Sequence, residues 1–218
     1  MTMDPSAFLA PDVVLDWADP IVRDRARAIK DDSTDEGDFV RRSFEWVRDR
    51  IPHSWDHKLN PVTCSASEVL KYKTGFCFAK AHLLVALLRA QGVPSGLCYQ
   101  RSSVAREGKR FYLHGLCAVH LSNIGWYRMD PRGPKPGVDA QFTPPVERLA
   151  YRMDRTMGER DCRGVYARPL PVVVEALRRY RTWDEFAQNL PDLGEKERLE
   201  VPPEADWMGP SAGLSSRT

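Results

Sequence analysis

Apolar residues recur first at helical spacing and later with the alternation of strands. From Pro20 to Ile29 the pattern predicts a first helix, with Asp19 as N-cap and Pro20 at its first position. The acidic stretch DDSTDEGD breaks it. Val40, Phe44 and Val47 then predict a second helix from about Asp35 to Asp49, closed off by Pro52. The segment Ile51 to Thr63, with two prolines, reads as a surface loop of the kind that rims a site. SASEVLKY reads as a short helix opened by Ser65 or Ser67, and KTGF as a turn.

From Cys77 to Gln91 every turn carries Leu, Val or Ala, which predicts a central helix buried on most sides. Gly92 falls where a left-handed cap is expected, and Pro94 bars continuation. Three strands are expected at Gly96 to Arg101, Phe111 to Leu121 and Gly125 to Asp130, joined as antiparallel hairpins. Pro and Gly make Gly133 to Pro145 irregular, and PVVVEALRRY with TWDEFAQNL gives two short helices or a strand and a helix. With helices first and sheet second, the fold class is α+β.

A chain of 218 residues suits one domain, taken as residues 1–200, followed by a mobile tail over 201–218. Its 42% apolar and 28% charged residues are those of a globular protein. A net charge of +2 gives no field for nucleic acid or an anionic membrane, so neither is expected as a partner. The five cysteines form no C-x-x-C pair and leave one over, which fits a reducing compartment. The N-terminus is acidic where a signal peptide would be basic, and no apolar run reaches membrane-spanning length, so a cytoplasmic location is expected.

Cys77 is the candidate nucleophile. A helix N-terminus favours a thiolate, and its free N–H groups can hold an oxyanion, while Gly75 lets the chain turn into the helix. On position alone a buried structural thiol is the competing reading. A base must come from elsewhere in the chain. His82 lies about 140° around the same helix and is poorly placed. His53 and His57 have i, i+4 spacing, but Pro52 and Asn60-Pro61 argue for loop and no third ligand appears, so no metal is expected.

His114 and His120 share one strand face, and the return strand brings Asp130 towards His114. The simplest hairpin puts Asp130 opposite Cys117, on the wrong face; a bulge or five-residue loop puts it opposite Leu116, diagonal to His114. Trp55, Phe76 and Trp126 are candidate cleft residues for substrate, with core packing the competing role.

SASEVLKYKTGFCFAKAHLLVALLRAQGVPSGLCYQ resembles the core of the transglutaminase-like superfamily, in which Gly-x-Cys opens a long helix ending in an Arg-Ala-x-Gly-x-Pro turn. HGLCAVHLSNIGWYRMDPRG resembles that family's His strand, Gly-Trp turn and Asp-Pro strand end, and VRDRIPHSWD the segment before the core. The resemblance runs roughly from Val47 to Gly133. It implies a papain-like α+β fold, with a nucleophile-bearing central helix packed on an antiparallel sheet. It also implies a Cys77, His114, Asp130 triad that forms a thioester with an acyl donor.

An amine acceptor would give amide-bond formation or transamidation, as in some bacterial family members, and water would give a peptidase or amidase. The partners so implied are a small-molecule or carrier-bound acyl donor and an amine or water acceptor, with no cofactor. A non-catalytic scaffold of the same fold is the alternative from another class. Leu116 stands where the family usually has Trp, and Ala118 and His120 where acidic and aromatic residues follow, which implies an altered acceptor cleft. No acidic calcium-loop pattern is present in the sequence.

Overall fold

The structure is a computed structural model that describes residues 5–104 and 110–193; the tail expected over 201–218 lies outside the described residues. Helices α1 (Pro20–Asp31) and α2 (Glu36–Arg50) start where a side chain meets a free N–H. Asp19 accepts from Ile21 N–H at 3.0 Å, and Asp35 from Asp38 N–H at 2.8 Å. The expected loop after α2 contains a one-turn helix, α3 (Ser54–His57). Lys58 ends it in the left-handed region, at φ 53°. Helix α4 (Ala66–Tyr72) opens on Ser65, which forms a reciprocal capping box with Glu68.

Helix α5 (Cys77–Arg89) is the centre of the fold, and all 13 of its residues are buried. It contacts α1, α2 and α4 as well as strands β1 (Ser95–Ser103) and β2 (Phe111–Leu121). Each of its buried Leu and Val side chains is worth about 1.5–3 kcal/mol of burial. The helix ends before Gly92, which takes φ +75°.

Arg89, in the last turn of α5, is 3% exposed, and burial pushes its guanidinium down to about 10. Among the described residues no carboxylate hydrogen-bonds to it. Instead it donates to three carbonyls, those of Ser95 (2.9 and 2.6 Å), Ala10 (2.6 Å) and Ala167 (2.9 Å).

Strand β3 (Gly125–Met129) pairs antiparallel with β2, and β1 pairs antiparallel with β2 on the other side. A two-residue strand β4 (Arg160–Asp161), not expected from the sequence, completes the order β3-β2-β1-β4. The β2–β3 ladder runs from Leu121↔Gly125 to Cys117↔Met129, so Asp130 continues it to the level of Leu116. That is the register that puts Asp130 on the face of His114.

The sheet buries both faces. Leu113, Cys117, Val119 and Leu121 join the main core with α5, whereas Leu116, Ala118 and Trp126 join a smaller cluster with Phe8, Cys98 and Val165. Gly115 lets β2 lie directly on α5, since a Cβ there would come within 2.5 Å of Phe78 Cδ1 and 3.1 Å of Phe78 Cα. The chain closes with α6 (Pro171–Arg179) and α7 (Trp183–Gln188), so both C-terminal segments are helical. Phe186 of α7 is fully buried against Phe76, with ring centroids 4.4 Å apart.

Candidate active site

Cys77 starts α5, where the N-cap residue Phe76 provides no side-chain cap. The first N–H groups of the helix therefore remain as donors at that end. The thiol residue is 9% exposed and opens onto a cavity of about 280 Å³. The close approach at Gly115 brings the β2 backbone beside Phe78, and so sets His114 next to Cys77 in the chain order of both elements.

His114 and Asp130 form the tightest polar pair of the site. His114 Nε2 lies 2.7 Å from Asp130 Oδ2, with the two residues 2% and 0% exposed. The other ring nitrogen, Nδ1, is not engaged by Asp130, and the Cys77 side chain lies close enough to act on the imidazole. Burial drives the His114 imidazolium to give up its proton, but the charges of Asp130 and Cys77 and the hydrogen bonds to both outweigh it. The His114 pKa is held well above the usual 6.5.

Asp130 is fixed from three sides. Its Oδ1 accepts from Arg132 N–H at 3.0 Å, and its Oδ2 accepts from Ala150 N–H at 3.2 Å besides facing His114. A buried carboxylate is tolerated only with such partners. Lys80, one turn along α5 from Cys77, adds a positive field; its ammonium donates to the carbonyls of Arg48, at 3.1 Å, and Ile51. Burial pushes the Lys80 pKa down to about 7.

The cavity is walled by Phe76, Leu113, Tyr151, Ala187 and Leu190. The Tyr151 ring stands edge-on to His114, centroids 4.9 Å apart at 86°. Trp55, 42% exposed, and Phe76, 2% exposed, both line the cavity. Trp126 does not line the cavity. Its ring packs on Phe8 at 4.7 Å and His120 at 5.5 Å in the smaller core cluster, because pairing with His120 puts it about 20 Å along β2 from His114, at the far end of the same face.

The remaining histidines separate cleanly. His82 is fully buried with Nδ1 2.8 Å from the Cys64 carbonyl, and desolvation lowers its pKa to about 4. His57 is exposed at the end of α3. Among the described residues no group of three or more His, Cys, Asp and Glu is placed to hold a metal ion.

His53, weighed in the sequence only as a metal ligand, lines the cavity instead. Its backbone bridges Gly75, its ring stands 5.6 Å from Phe76, and its buried Nδ1 has no hydrogen-bond partner. Desolvation, with the nearby Arg132 and Lys80 charges, keeps its pKa well below 6.5, so it is neutral. Arg110, Arg132 and Lys135 also face the cavity and were missed. Lys135 lies in a stretch with no periodic pattern, and Arg132 looks in sequence like an ordinary turn residue after Asp-Pro.

The profile of the transglutaminase-like superfamily matches residues 23–131, half of the chain, a span that includes Cys77, His114 and Asp130. The chain belongs to the transglutaminase-like superfamily. Several solved structures resemble this transglutaminase-like chain. A "putative cysteine protease" from Cytophaga hutchinsonii is 18% identical with a TM-score of 0.46, over 57% of this chain and 40% of that one. The periplasmic domain of TgpA from Pseudomonas aeruginosa is 17% identical with a TM-score of 0.45, over 59% and 48%. A TGase is 14% identical with a TM-score of 0.40, over 64% and 37%.

The chain spans less than half the length of each of these structures. No curated protein matches it. No helix among the described residues is long and apolar enough to cross a membrane. The fold is thus the mixed helix and antiparallel-sheet arrangement of a superfamily of cysteine enzymes.

Proposed function

We propose that this chain is a cysteine acyltransferase that forms a Cys77 acyl-enzyme and passes the acyl group to an amine, by amide-bond formation or transamidation. The observation that carries the reading is the buried His114–Asp130 contact of 2.7 Å, on a histidine that lines the same cavity as Cys77 and is coupled to it electrostatically. A scaffold has no need of a buried ion pair beside a thiol, and such a pair is costly to desolvate.

The Cys77 sulfur attacks the donor carbonyl, and the uncapped N–H groups at the start of α5 face the developing oxyanion. His114 gives its proton to the departing group as the carbonyl re-forms, leaving a thioester. It then takes a proton from the acceptor as that attacks, and the thiol is released. Asp130 holds the imidazole in orientation throughout. Water in place of the amine would make the same machinery an amidase or peptidase. The five free cysteines support a reducing, cytoplasmic setting for this chemistry.

Intact-protein mass spectrometry after mixing with p-nitrophenyl esters tests the reading. An acyl adduct is expected that is absent from Cys77→Ala and that is discharged faster by added primary amine than by buffer. An adduct that persists in Cys77→Ala refutes the nucleophile. Discharge indifferent to amine refutes transfer and leaves hydrolysis.

A further inference from the structure

Charge around the cavity is unbalanced. Among the described residues three cations, Arg110, Arg132 and Lys135, line it against a single carboxylate, Asp56. Asp56 is shared between two of them: Oδ2 lies 2.5 Å from Arg132 Nη1 and Oδ1 lies 3.4 Å from Lys135 Nζ. One negative charge over two cations leaves an excess. Arg110 adds a second, because its 2.5 Å hydrogen bond to the Gln188 carbonyl fills a donor but cancels no charge. Asp130 is committed to His114 and does not line the cavity.

Arg132 makes this more than a basic surface. Its side chain is 4% exposed, ion-paired through Nη1 with Asp56 and interacting with Tyr151, so a guanidinium is held at the inner end of the cation cluster. His53, which also lines the cavity, is buried, and its Nδ1 has no hydrogen-bond partner among the described residues. A structural tether between α3 and the end of β3 needs only the Asp56–Arg132 pair, whereas Lys135, which shares that one carboxylate, and Arg110 bring charge beyond what the described lining residues balance. The inner walls are apolar, at Phe76, Leu113 and Leu190.

We propose that the acyl donor is anionic, with an apolar acyl part against Phe76 and Leu190 and a carboxylate or phosphate held at the mouth by Lys135 and Arg110. This rests on the acyl-enzyme reading of Cys77 and names its substrate class. Two exposed cations steer and hold such a donor through a field that salt weakens. A matched charge of this kind gives about a tenfold preference or more.

Single-turnover acylation of the full chain, with paired esters that differ only in charge, tests the proposal. Mono-p-nitrophenyl glutarate is compared with p-nitrophenyl pentanoate for an anion on the acyl side. S-butyryl-3-mercaptopropionate is compared with its methyl ester for an anion on the leaving group. The anionic member of at least one pair is expected to acylate Cys77 about tenfold faster at low concentration, through a lower half-saturation point rather than a faster limiting rate. That preference falls towards one in Lys135→Gln/Arg110→Gln, reverses in Lys135→Glu, and shrinks with added salt.

Equal rates within both pairs, with Cys77 acylated, overturn the anionic donor and leave the acyl-enzyme standing. No acylation of Cys77 by any of the four overturns the acyl-enzyme reading and this inference with it.

Discussion

Gly115→Ala isolates the contact that sets nucleophile against base. The added Cβ would lie 2.5 Å from Phe78 Cδ1 and 3.1 Å from Phe78 Cα, whereas carbon atoms rest at about 3.5–4.0 Å. The ring can swing away, but the helix backbone cannot, so β2 has to back off α5 by about half an ångström or more. Overpacking of this size costs about 1–3 kcal/mol, read as a lower urea midpoint.

The displacement falls on the residues that matter, since His114 precedes Gly115 and Cys77 precedes Phe78. A misplacement of about 1 Å between reacting groups costs on the order of 10²-fold, so acylation of Cys77 should drop about ten- to a hundredfold. Nitrophenolate release in a single turnover measures it. Adding Phe78→Leu removes the ring edge but not the 3.1 Å backbone contact, so it should recover part of the rate. A folded Gly115→Ala protein that acylates at the wild-type rate would refute the view that this approach sets the pair.

Asp130→Asn leaves one of the Arg132 and Ala150 N–H groups facing an amide NH2, which should cost about 1–3 kcal/mol of stability, and should lower acylation about 10³–10⁴-fold by letting the imidazole turn or take the wrong tautomer. Burial then acts on His114 without the Asp130 charge to oppose it, so its pKa should move down, as NMR titration of the ring would report. A histidine signal that titrates as in the wild type would contradict the pairing. His82 gives a second pH effect, on stability. Burial lowers its pKa from 6.5 to about 4, so the unfolded chain binds a proton through a window in which the folded one does not. Stability is therefore full above pH 6.5 and falls as pH drops towards 4, by about 3 kcal/mol. His82→Asn can still donate to the Cys64 carbonyl and should flatten that fall in urea titrations at pH 7 and pH 4.5; an unchanged slope would remove His82 as the cause.

The helices and their starts could be read in the sequence because caps and periodicity are local: Asp19, Asp35 and Ser65 each act within a few residues of themselves. The register of β2 and β3 could not, because a single residue of loop length moves Asp130 between faces. Only the Leu121↔Gly125 pair decides it. Trp126 was drawn towards the cleft by its chemistry, whereas its place follows from pairing with His120.

The rest of the cavity was illegible for a related reason. Lys135 and Tyr151 arrive from stretches whose course depends on long-range packing rather than on a period. His53 was visible as a residue, but its bridge to Gly75 joins two turns with no pattern in common.

Arg89 has a consequence at a distance. Helix α5 is 13 residues long, so this guanidinium lies about 20 Å from the thiol, at the opposite pole of the same rod. Through Ala10 and Ala167 it anchors the stretch that leads into α1 and the stretch that leads into α6 and α7, the latter forming a wall of the cavity. Wear at that pole is therefore felt at the other. A lesion at Arg89 would leave every reacting group in place and yet let the wall at Ala187 and Leu190 breathe, so that bound donor leaves sooner and water enters before the amine. In the proposed transfer to an amine, the balance against hydrolysis would then depend on a residue that touches neither substrate.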